Sequence, residues 1–355
     1  MTSPTISVCV PVFNGAAHIR ECLDSIAAQT LADFEVLVID DCSTDRTVEL
    51  VQSYVRRDSR FRLLQNPTNL GMRGVPNCNR CFSEAAADWI KFVFQDDVIA
   101  PDCLRALAVA RPSSPALVFA DRGFIFESGT APELREWYER HSTALRIFHA
   151  QTSDIPAQRF AELALDHFGM NLVGEPTTVL LHRDLAERFG VFNPHITSVA
   201  DGEYWTRIGT NIGAVRVDRE LASFRVHSAS TSARNLTRER KFRVRVLDPA
   251  VIRHEFAFHP AYEHLRELAR LRNPRTDFED AFWIAASEAL WWLHRIGRAA
   301  DGELASEISS DWTEVTTAYP RFCQIPLRYR IEARIRGARS LVRRGRAGTR
   351  EAGTD

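Results

Sequence analysis

Short runs of apolar, mostly β-branched residues alternate with stretches of helical period along the first hundred residues. The apolar runs predict four buried strands, at residues 5–12, 34–39, 61–64 and 90–94. Between them, apolar side chains recur at helical spacing and predict amphipathic helices at 18–29, 45–56 and 78–87. Strands that alternate with helices build a parallel sheet covered by helices. The pattern therefore predicts an α/β fold with a mostly parallel central sheet flanked by helices.

Polar residues follow three of these strands. The strand ends carry Phe13-Asn14, the paired carboxylates Asp40-Asp41, and the segment Gln95-Asp96-Asp97. Ligands of such sheets bind outside the carboxyl ends of the strands. So much acid at one edge is costly unless a cation or a donor-rich ligand is present. Aspartates chosen for turns and caps explain Asp45 and Asp40 but explain the two clusters together less well.

Composition excludes several classes of protein. With 355 residues, 45% hydrophobic and 26% charged, the chain has the proportions of a soluble globular protein. A net charge of -1 gives no reason to expect a nucleic acid partner. The phosphate cradles GxGxxG and GxxxxGK[ST] are absent, and no apolar run reaches the ~18–20 residues of a membrane span. Seven scattered cysteines favour reduced thiols and a cytoplasmic setting.

Two groups of motifs lie in order along residues 5–232. The first group comprises SVCVPVFNG at 7–15, SIAAQT at 25–30, VLVIDDCSTD at 36–45, NPTNLG at 66–71 and WIKFVFQDD at 89–97. The second comprises DGEYWTR at 201–207 and FRVH at 224–227. Together they resemble the family-2 glycosyltransferases. The resemblance implies the GT-A fold over residues 1–232, with a nucleotide-sugar half at 1–105 and an acceptor half at 106–232.

The resemblance also implies a donor site at the strand ends. Phe13 would lie against the donor base, and Asp41 would accept the N3–H that both uracil and thymine offer. The implied donor is therefore a UDP- or dTDP-sugar, with Asp40 supporting the ribose or the loop. The other implied donor contacts are Pro11, Asn14, Arg73, Asn79, Gln95, Asp96, Asp97 and Arg225.

A Mg²⁺ or Mn²⁺ ion is the implied cofactor. The resemblance makes Asp96 the ligand that holds the diphosphate on the metal, and it makes His227 a second candidate. The family has a further Asp two residues before this ligand, where the present chain has Phe94. That departure leaves Asp97 as a residue that could share the role.

Asp201 matches the general base of the family. An acceptor hydroxyl that attacks the anomeric carbon must lose its proton, and a carboxylate can take it. We therefore expect a non-processive enzyme that inverts the anomeric carbon in a single displacement. Glu203 is the alternative base, and on a helix the two side chains would point about 200° apart. Glu175 is a candidate acceptor contact.

Two other functions compete with this one. A nucleotide-sugar or glycan-binding module without turnover would explain why Phe94 and Ala200 stand where the family has acids. A processive polysaccharide synthase is disfavoured, because the chain lacks both the Gln-x-x-Arg-Trp element and apolar runs long enough to span a membrane.

From residue 233 onward the pattern is helical and lies outside the resemblance. Phe278–Ile296 predicts a core helix with Phe282, Ala285, Ala289 and Trp292 on one face. In Leu327–Arg346, eight arginines and a single glutamate flank an apolar face of Leu327, Ile331, Ile335, Ala338 and Val342. Such a basic amphipathic helix either lies on anionic lipid or is a solvated helix. A contact with the inner face of the plasma membrane would suit a glycan or lipid-linked acceptor of the bacterial cell surface.

Overall fold

The computed structural model describes residues 4–71, 74–136, 138–140, 153–227, 230, 242–296 and 302–337. The chain divides into two compact units. The first contains residues 1–194 and 199–233, and the second contains residues 195–198 and 234–355.

Within the described residues, a nine-stranded sheet forms the centre of the first unit. Its strands are β1 (Ile6–Val12), β2 (Phe34–Asp40), β3 (Phe61–Gln65), β4 (Trp89–Phe92), β5 (Val98–Ile99), β6 (Leu117–Phe126), β7 (Asp154–Ile155), β8 (Val179–His182) and β9 (Ala214–Val226). Their order is β3-β2-β1-β4-β8-β6-β9-β5, and β7 also pairs with β9. Strands β1 to β4 run parallel, which confirms the predicted α/β fold class.

Helices accompany this sheet, and the first three of them lie where the apolar spacing predicts helices. They are α1 (Ile19–Ala27), α2 (Thr47–Arg57), α3 (Val75–Glu84), α4 (Cys103–Ala110), α5 (Ala157–Asp166), α6 (Asp184–Phe189) and α7 (Ala200–Ile212). Strand β1 is buried along its whole length, because helices cover the parallel sheet. Asp45 precedes α2, and its Oδ1 accepts a hydrogen bond from the Thr47 N–H at 3.0 Å. Asp45 therefore has the structural role expected of a turn aspartate.

The second unit is helical in its described part. A π-helical turn at Arg243–Leu247 leads into α8 (Asp248–Phe258), α9 (Glu263–Arg272), α10 (Phe278–Ile296), α11 (Gly302–Ala318) and a last helix, α12, at residues 327–337. Helix α10 has the predicted bounds and buries Phe282 and Ala289. Ala286 rather than Ala285 lies between them on the buried face, and Trp292 is half-buried.

Helix α12 buries a face other than its apolar stripe. Tyr329 and Ala333 are buried, whereas Leu327, Ile331 and Ile335 are 63%, 48% and 48% exposed. These three residues recur every four positions and so form one outward stripe. The rest of the predicted apolar face, Ala338 and Val342, lies outside the described residues. No helix in the described ranges is long and apolar enough to cross a membrane.

Candidate functional site

The carboxyl ends of β1, β2 and β4 meet at one edge of the sheet, which we call the donor edge. The β1–β2 register places Val12 opposite Asp40, and the Asp41 N–H donates to the Val12 carbonyl at 2.8 Å. Pro11 is buried within β1. Phe13 follows this strand with 39% of its surface exposed. An aromatic ring is therefore open to a ligand at this edge.

Gln95 joins the loop after β4 to the end of β1. Its Oε1 accepts a hydrogen bond from the Phe13 N–H at 2.9 Å, and its Nε2 donates to the Phe13 carbonyl at 3.3 Å. A Cβ atom on Gly15 would lie 2.7 Å from the same Oε1, so glycine leaves the space that Gln95 uses. Gln95 thus positions the backbone of the exposed aromatic residue.

Asp41 is buried and held by hydrogen-bond donors. Its Oδ1 accepts from the Asn66 Nδ2 at 2.7 Å and from the Leu70 N–H at 2.9 Å. Asn66 also donates to Asn77. Among the described residues, none donates to the second oxygen, Oδ2. A fixed carboxylate with one oxygen left over is suited to accept an N–H of a ligand.

Asp40 is fully buried. Its Oδ2 accepts from the Ser43 N–H at 3.0 Å, whereas its Oδ1 has no hydrogen-bond donor in the described part of the chain. Buried polar atoms without a partner are rare in folded proteins. Through its Oδ2, Asp40 supports the loop at Ser43, and its Oδ1 is an acceptor that no described residue uses.

Asp96 and Asp97 are neighbours in different surroundings. Asp97 is fully buried and accepts hydrogen bonds from the Thr177 hydroxyl and, at 3.0 Å, from the Arg225 N–H. Burial, and next the charge of Asp96, raises the pKa of Asp97 well above its usual range. Its carboxylate is used inside the protein. The expectation that Asp97 shares the metal-binding role therefore does not fit the structure.

Three other expected nucleotide-sugar contacts have at least one side-chain atom bonded within the protein. The Nε of Arg225 donates to the Asp96 carbonyl at 2.8 Å, and its Nη2 pairs with Glu21. The Oδ1 of Asn14 accepts from the Thr44 N–H at 2.8 Å. The Nδ2 of Asn79 donates to the Phe192 carbonyl at 2.8 Å. Arg73 lies outside the described residues.

Asp96 faces a cluster of metal-binding residue types. Its Oδ2 lies 3.0 Å from the Nε2 of His227. One potential ligand atom from each of His18, Glu127 and His227 lies within 4.8 Å of the other two. Burial, and next the neighbouring His227, lowers the pKa of His18, which favours the neutral imidazole that binds metal ions. The nitrogen and oxygen atoms of this cluster therefore fit a divalent cation.

Asp201 lies in the first turn of α7. The Nδ2 of Asn171 donates to its Oδ2 at 3.0 Å. Burial, and next the charge of Glu175, raises the pKa of Asp201 to about 7. A carboxylate with a pKa near the operating pH is suited to general base catalysis.

The other two acidic candidates near α7 are engaged in ion pairs. Glu203 is buried, with its Oε2 3.1 Å from Nη2 of Arg207. Glu175 accepts from Nη2 of Arg122 at 3.0 Å. The geometry therefore favours Asp201 over Glu203 as the base.

Motif reasoning missed the supporting residues of this site. Asn171 is one of them, because its Oδ1 also accepts the N–H groups of Val173 and Gly174 at 3.1 and 2.9 Å and so shapes the loop before Glu175. His18 and Glu127 are two more, and neither belongs to a recognisable motif. The sequence indicated only that ligands bind at the carboxyl ends of the strands, near which these residues lie.

Comparison with known proteins places the chain in a family. Residues 7–165 match the model named "Glycosyl transferase family 2". An uncharacterized protein of Mycobacterium tuberculosis is 32% identical over 246 residues, which are 69% of this chain and 73% of that protein. The putative glycosyltransferase EpsH of Bacillus subtilis is 28% identical over 148 residues, or 40% of this chain and 42% of its own. The chain thus spans less than half the length of EpsH.

Solved structures share the fold. Residues 1–349 of Staphylococcus aureus TarS, in complex with UDP-GlcNAc, give a TM-score of 0.53 at 18% identity, covering 87% of this chain and 92% of that one. The mannosyltransferase PcManGT of Pyrobaculum calidifontis, in complex with GDP-Man and Mn²⁺, gives 0.51 at 19% identity, covering 94% and 87%. These likenesses confirm the expected GT-A fold. The family model, the glycosyltransferase relatives and the shared fold agree. The chain belongs to glycosyl transferase family 2 and is a glycosyltransferase.

Proposed function

We propose that this enzyme transfers a sugar from a UDP- or dTDP-sugar to a hydroxyl group of a glycan or lipid-linked acceptor, with inversion of the anomeric carbon. The observation that carries the proposal is Asp201, a carboxylate with a pKa raised to about 7 and oriented by Asn171. Residues 1–105 would bind the donor and residues 106–232 the acceptor. The family assignment agrees with catalysis rather than with a non-catalytic binding module.

The donor edge supports a pyrimidine nucleotide. Asp41 offers Oδ2 to the N3–H of uracil or thymine, while its Oδ1 is fixed by Asn66 and Leu70. The exposed ring of Phe13 offers a stacking surface for the base. Asp40, with an unpaired buried Oδ1, would accept a ribose hydroxyl. The TarS and PcManGT complexes with UDP-GlcNAc and GDP-Man support nucleotide sugars as the donor class.

Asp96 and His227 would hold Mg²⁺ or Mn²⁺ at this edge. Their facing atoms, 3.0 Å apart, are an oxygen and a nitrogen of the kinds that bind divalent ions. A bound ion stabilises the negative charge that develops on the leaving diphosphate. The buried Asp97 and Arg225 would keep Asp96 in place through the hydrogen bonds described above.

Asp201 would carry the proton transfer. The acceptor hydroxyl oxygen forms a bond to the anomeric carbon while the bond from that carbon to the diphosphate oxygen breaks. Asp201 takes the hydroxyl proton in the same step. Attack from the face opposite the diphosphate inverts the anomeric centre, and the carboxyl then returns its proton to water.

Relatives and helix α12 support a cell-surface acceptor. TarS is named a poly(ribitol-phosphate) β-N-acetylglucosaminyltransferase and is 38% identical over 104 residues, 29% of this chain and 18% of its own. The outward stripe of Leu327, Ile331 and Ile335 alternates with arginines and would rest on an anionic membrane. Replacing the three with serine should weaken binding to phosphatidylglycerol vesicles by about tenfold or more. The matched control is Leu271→Ser, an exposed apolar residue on α9.

Calorimetric titration with UDP, dTDP and GDP, each with Mn²⁺ and then with EDTA, tests the donor assignment without knowledge of the acceptor. We expect UDP or dTDP to bind with Mn²⁺ and to bind at least about tenfold more weakly with EDTA. Preferential binding of GDP would overturn the roles of Asp41 and Phe13. Equal binding with Mn²⁺ and EDTA would overturn the metal site at Asp96 and His227.

A further inference from the structure

His18 and Glu127 lie outside the motifs of the family resemblance and face its metal-binding pair. The Nε2 of His18 lies 3.3 Å from the Oε1 of Glu127, and the rings of His18 and His227 have their centres 4.8 Å apart. Both residues are partly buried and belong to the first unit. We propose that His18 and Glu127 are metal ligands that act with Asp96 and His227 and replace the carboxylate missing at Phe94.

The spacing of the ligand atoms fits one cation. Ligand atoms about 2.0–2.2 Å from a shared ion lie roughly 3–4 Å from one another. The atoms of His18, Glu127 and His227 lie within 4.8 Å of one another, and Asp96 lies 3.0 Å from His227. Small rotations of the side chains would therefore bring these three ligands onto a single ion, and Asp96 would join them through its position beside His227.

Strand pairing explains why Glu127 and His227 meet. Strands β6 and β9 run parallel with Phe126 opposite Val226, so Glu127 and His227 are the next residues along the two strands. The Glu127 N–H donates to the Val226 carbonyl at 3.2 Å, which extends the pairing by one step. The two candidate ligands are thus fixed by the sheet rather than by a free loop.

Arg225 links the remaining ligands to this pair. Its guanidinium donates to the Asp96 carbonyl at 2.8 Å and pairs with Glu21 in the first turn of α1. His18 is the residue at the start of that helix. Arg225 therefore acts as a positioning residue that holds Asp96 and the start of α1 beside β9.

The proposed ligand set has a consequence for the choice of metal. Two imidazoles and two carboxylates favour transition ions, because nitrogen ligands suit those ions better than they suit Mg²⁺. We therefore expect Mn²⁺ and Co²⁺ to bind more tightly than Mg²⁺. This inference rests on the proposed function in one respect, which is that the metal ion binds at the donor edge.

Binding of Mn²⁺ to the full chain, followed by electron paramagnetic resonance with and without UDP, tests the proposal independently of turnover. Pulsed spectra should show two coupled imidazole nitrogens in the wild type and one in His18→Gln. Both His18→Gln and Glu127→Gln should weaken Mn²⁺ binding by about tenfold or more and change Mg²⁺ binding less. His182→Gln is the matched control, because His182 lies near Asp184 and outside the cluster.

Circular dichroism identifies variants that fail to fold, and the two glutamine variants give independent readings. A single nitrogen in the wild type, or unchanged Mn²⁺ affinity in both folded variants, would overturn the proposal. If UDP still binds with Mn²⁺ in that case, the proposed function stands without His18 and Glu127. If Mn²⁺ never affects UDP binding in the wild type, the metal assignment of the proposed function fails as well.

Discussion

At the donor edge, Asp41 lies among hydrogen-bond donors, whereas Asp201 in the first turn of α7 has one side-chain donor and a like charge nearby. Asn66 and Leu70 fix one oxygen of Asp41 at 2.7 and 2.9 Å. Asp201 has Asn171 at 3.0 Å, and burial and Glu175 raise its pKa to about 7. Donors orient a carboxylate, while burial and like charge favour its protonated form. A carboxylate can therefore recognise the nucleotide base at position 41 and accept a proton from the acceptor hydroxyl at position 201.

The largest effect that this comparison predicts is the loss of turnover in Asp201→Asn. An amide cannot take the hydroxyl proton, so kcat should fall by about 10²–10⁴-fold, the usual contribution of a general base. UDP affinity, measured by calorimetry, should stay nearly unchanged, because the proposed role of Asp201 is toward the acceptor hydroxyl and not toward the nucleotide. An active Asp201→Asn enzyme would transfer the role to another carboxylate, and Glu203→Gln would then be the next variant to assay.

The parts of the fold that depend on local periodicity were predictable from the sequence. Strands β1 to β4 and the helices between them follow directly from runs and spacings of apolar residues. For α12 the pattern predicted a basic amphipathic helix but not which of its residues pack against the protein. Only the burial of Tyr329 and Ala333 decides which face packs.

Residues of the candidate site could be proposed from the sequence where they lie inside a contiguous motif. Asp41, Asp96 and Asp201 became candidates through the family resemblance, and their roles stay predictions. The cluster of His18, Glu127 and His227 depends on the register between β6 and β9, which no local pattern encodes. For the same reason, the sequence could not show that Arg225 and Asp97 use their polar groups inside the protein.

The next effect concerns Asp41→Asn at the donor edge. Asn66 and the Leu70 N–H both require an acceptor at position Oδ1, so the new amide nitrogen must take the place of Oδ2. It would then face the N3–H of uracil as a second donor. Loss of a hydrogen bond to a charged group costs about 1.5–3 kcal/mol, so calorimetry should show UDP binding roughly tenfold to hundredfold weaker.

CDP sharpens the same experiment, because cytosine has an acceptor at N3 in place of the N–H. Asp41→Asn should therefore improve the affinity for CDP relative to UDP. Equal affinities of the wild type and the variant for UDP would contradict the role of Asp41 as the base-selecting carboxylate. Circular dichroism serves as the control for folding.

A smaller effect is expected from Asn171→Ala, which removes the side-chain donor to Asp201. Without that hydrogen bond to the charged form, the pKa of Asp201 should rise further above about 7. The rise of kcat/KM with pH should therefore shift to higher pH, and activity at neutral pH should fall by about tenfold or less. Asn171→Asp keeps the acceptor for Val173 and Gly174 but places a like charge beside Asp201, so it should raise the midpoint further while this part of the loop is preserved. A loss of activity at every pH without any shift would assign Asn171 to the loop alone.

The smallest effect, and the opposite shift, is expected from Glu175→Gln. Asp201 can act as the general base only when it is deprotonated. In the wild type, kcat/KM should therefore rise as the pH increases through a pKa of about 7. Removing the charge of Glu175 lowers that pKa, and Arg122, left without its partner, acts in the same direction. The profile should shift toward acid, with higher activity near pH 6 and little change near pH 8. If Glu175 instead contacts the acceptor, KM for the acceptor will rise and the midpoint will stay in place, so the two roles give different curves.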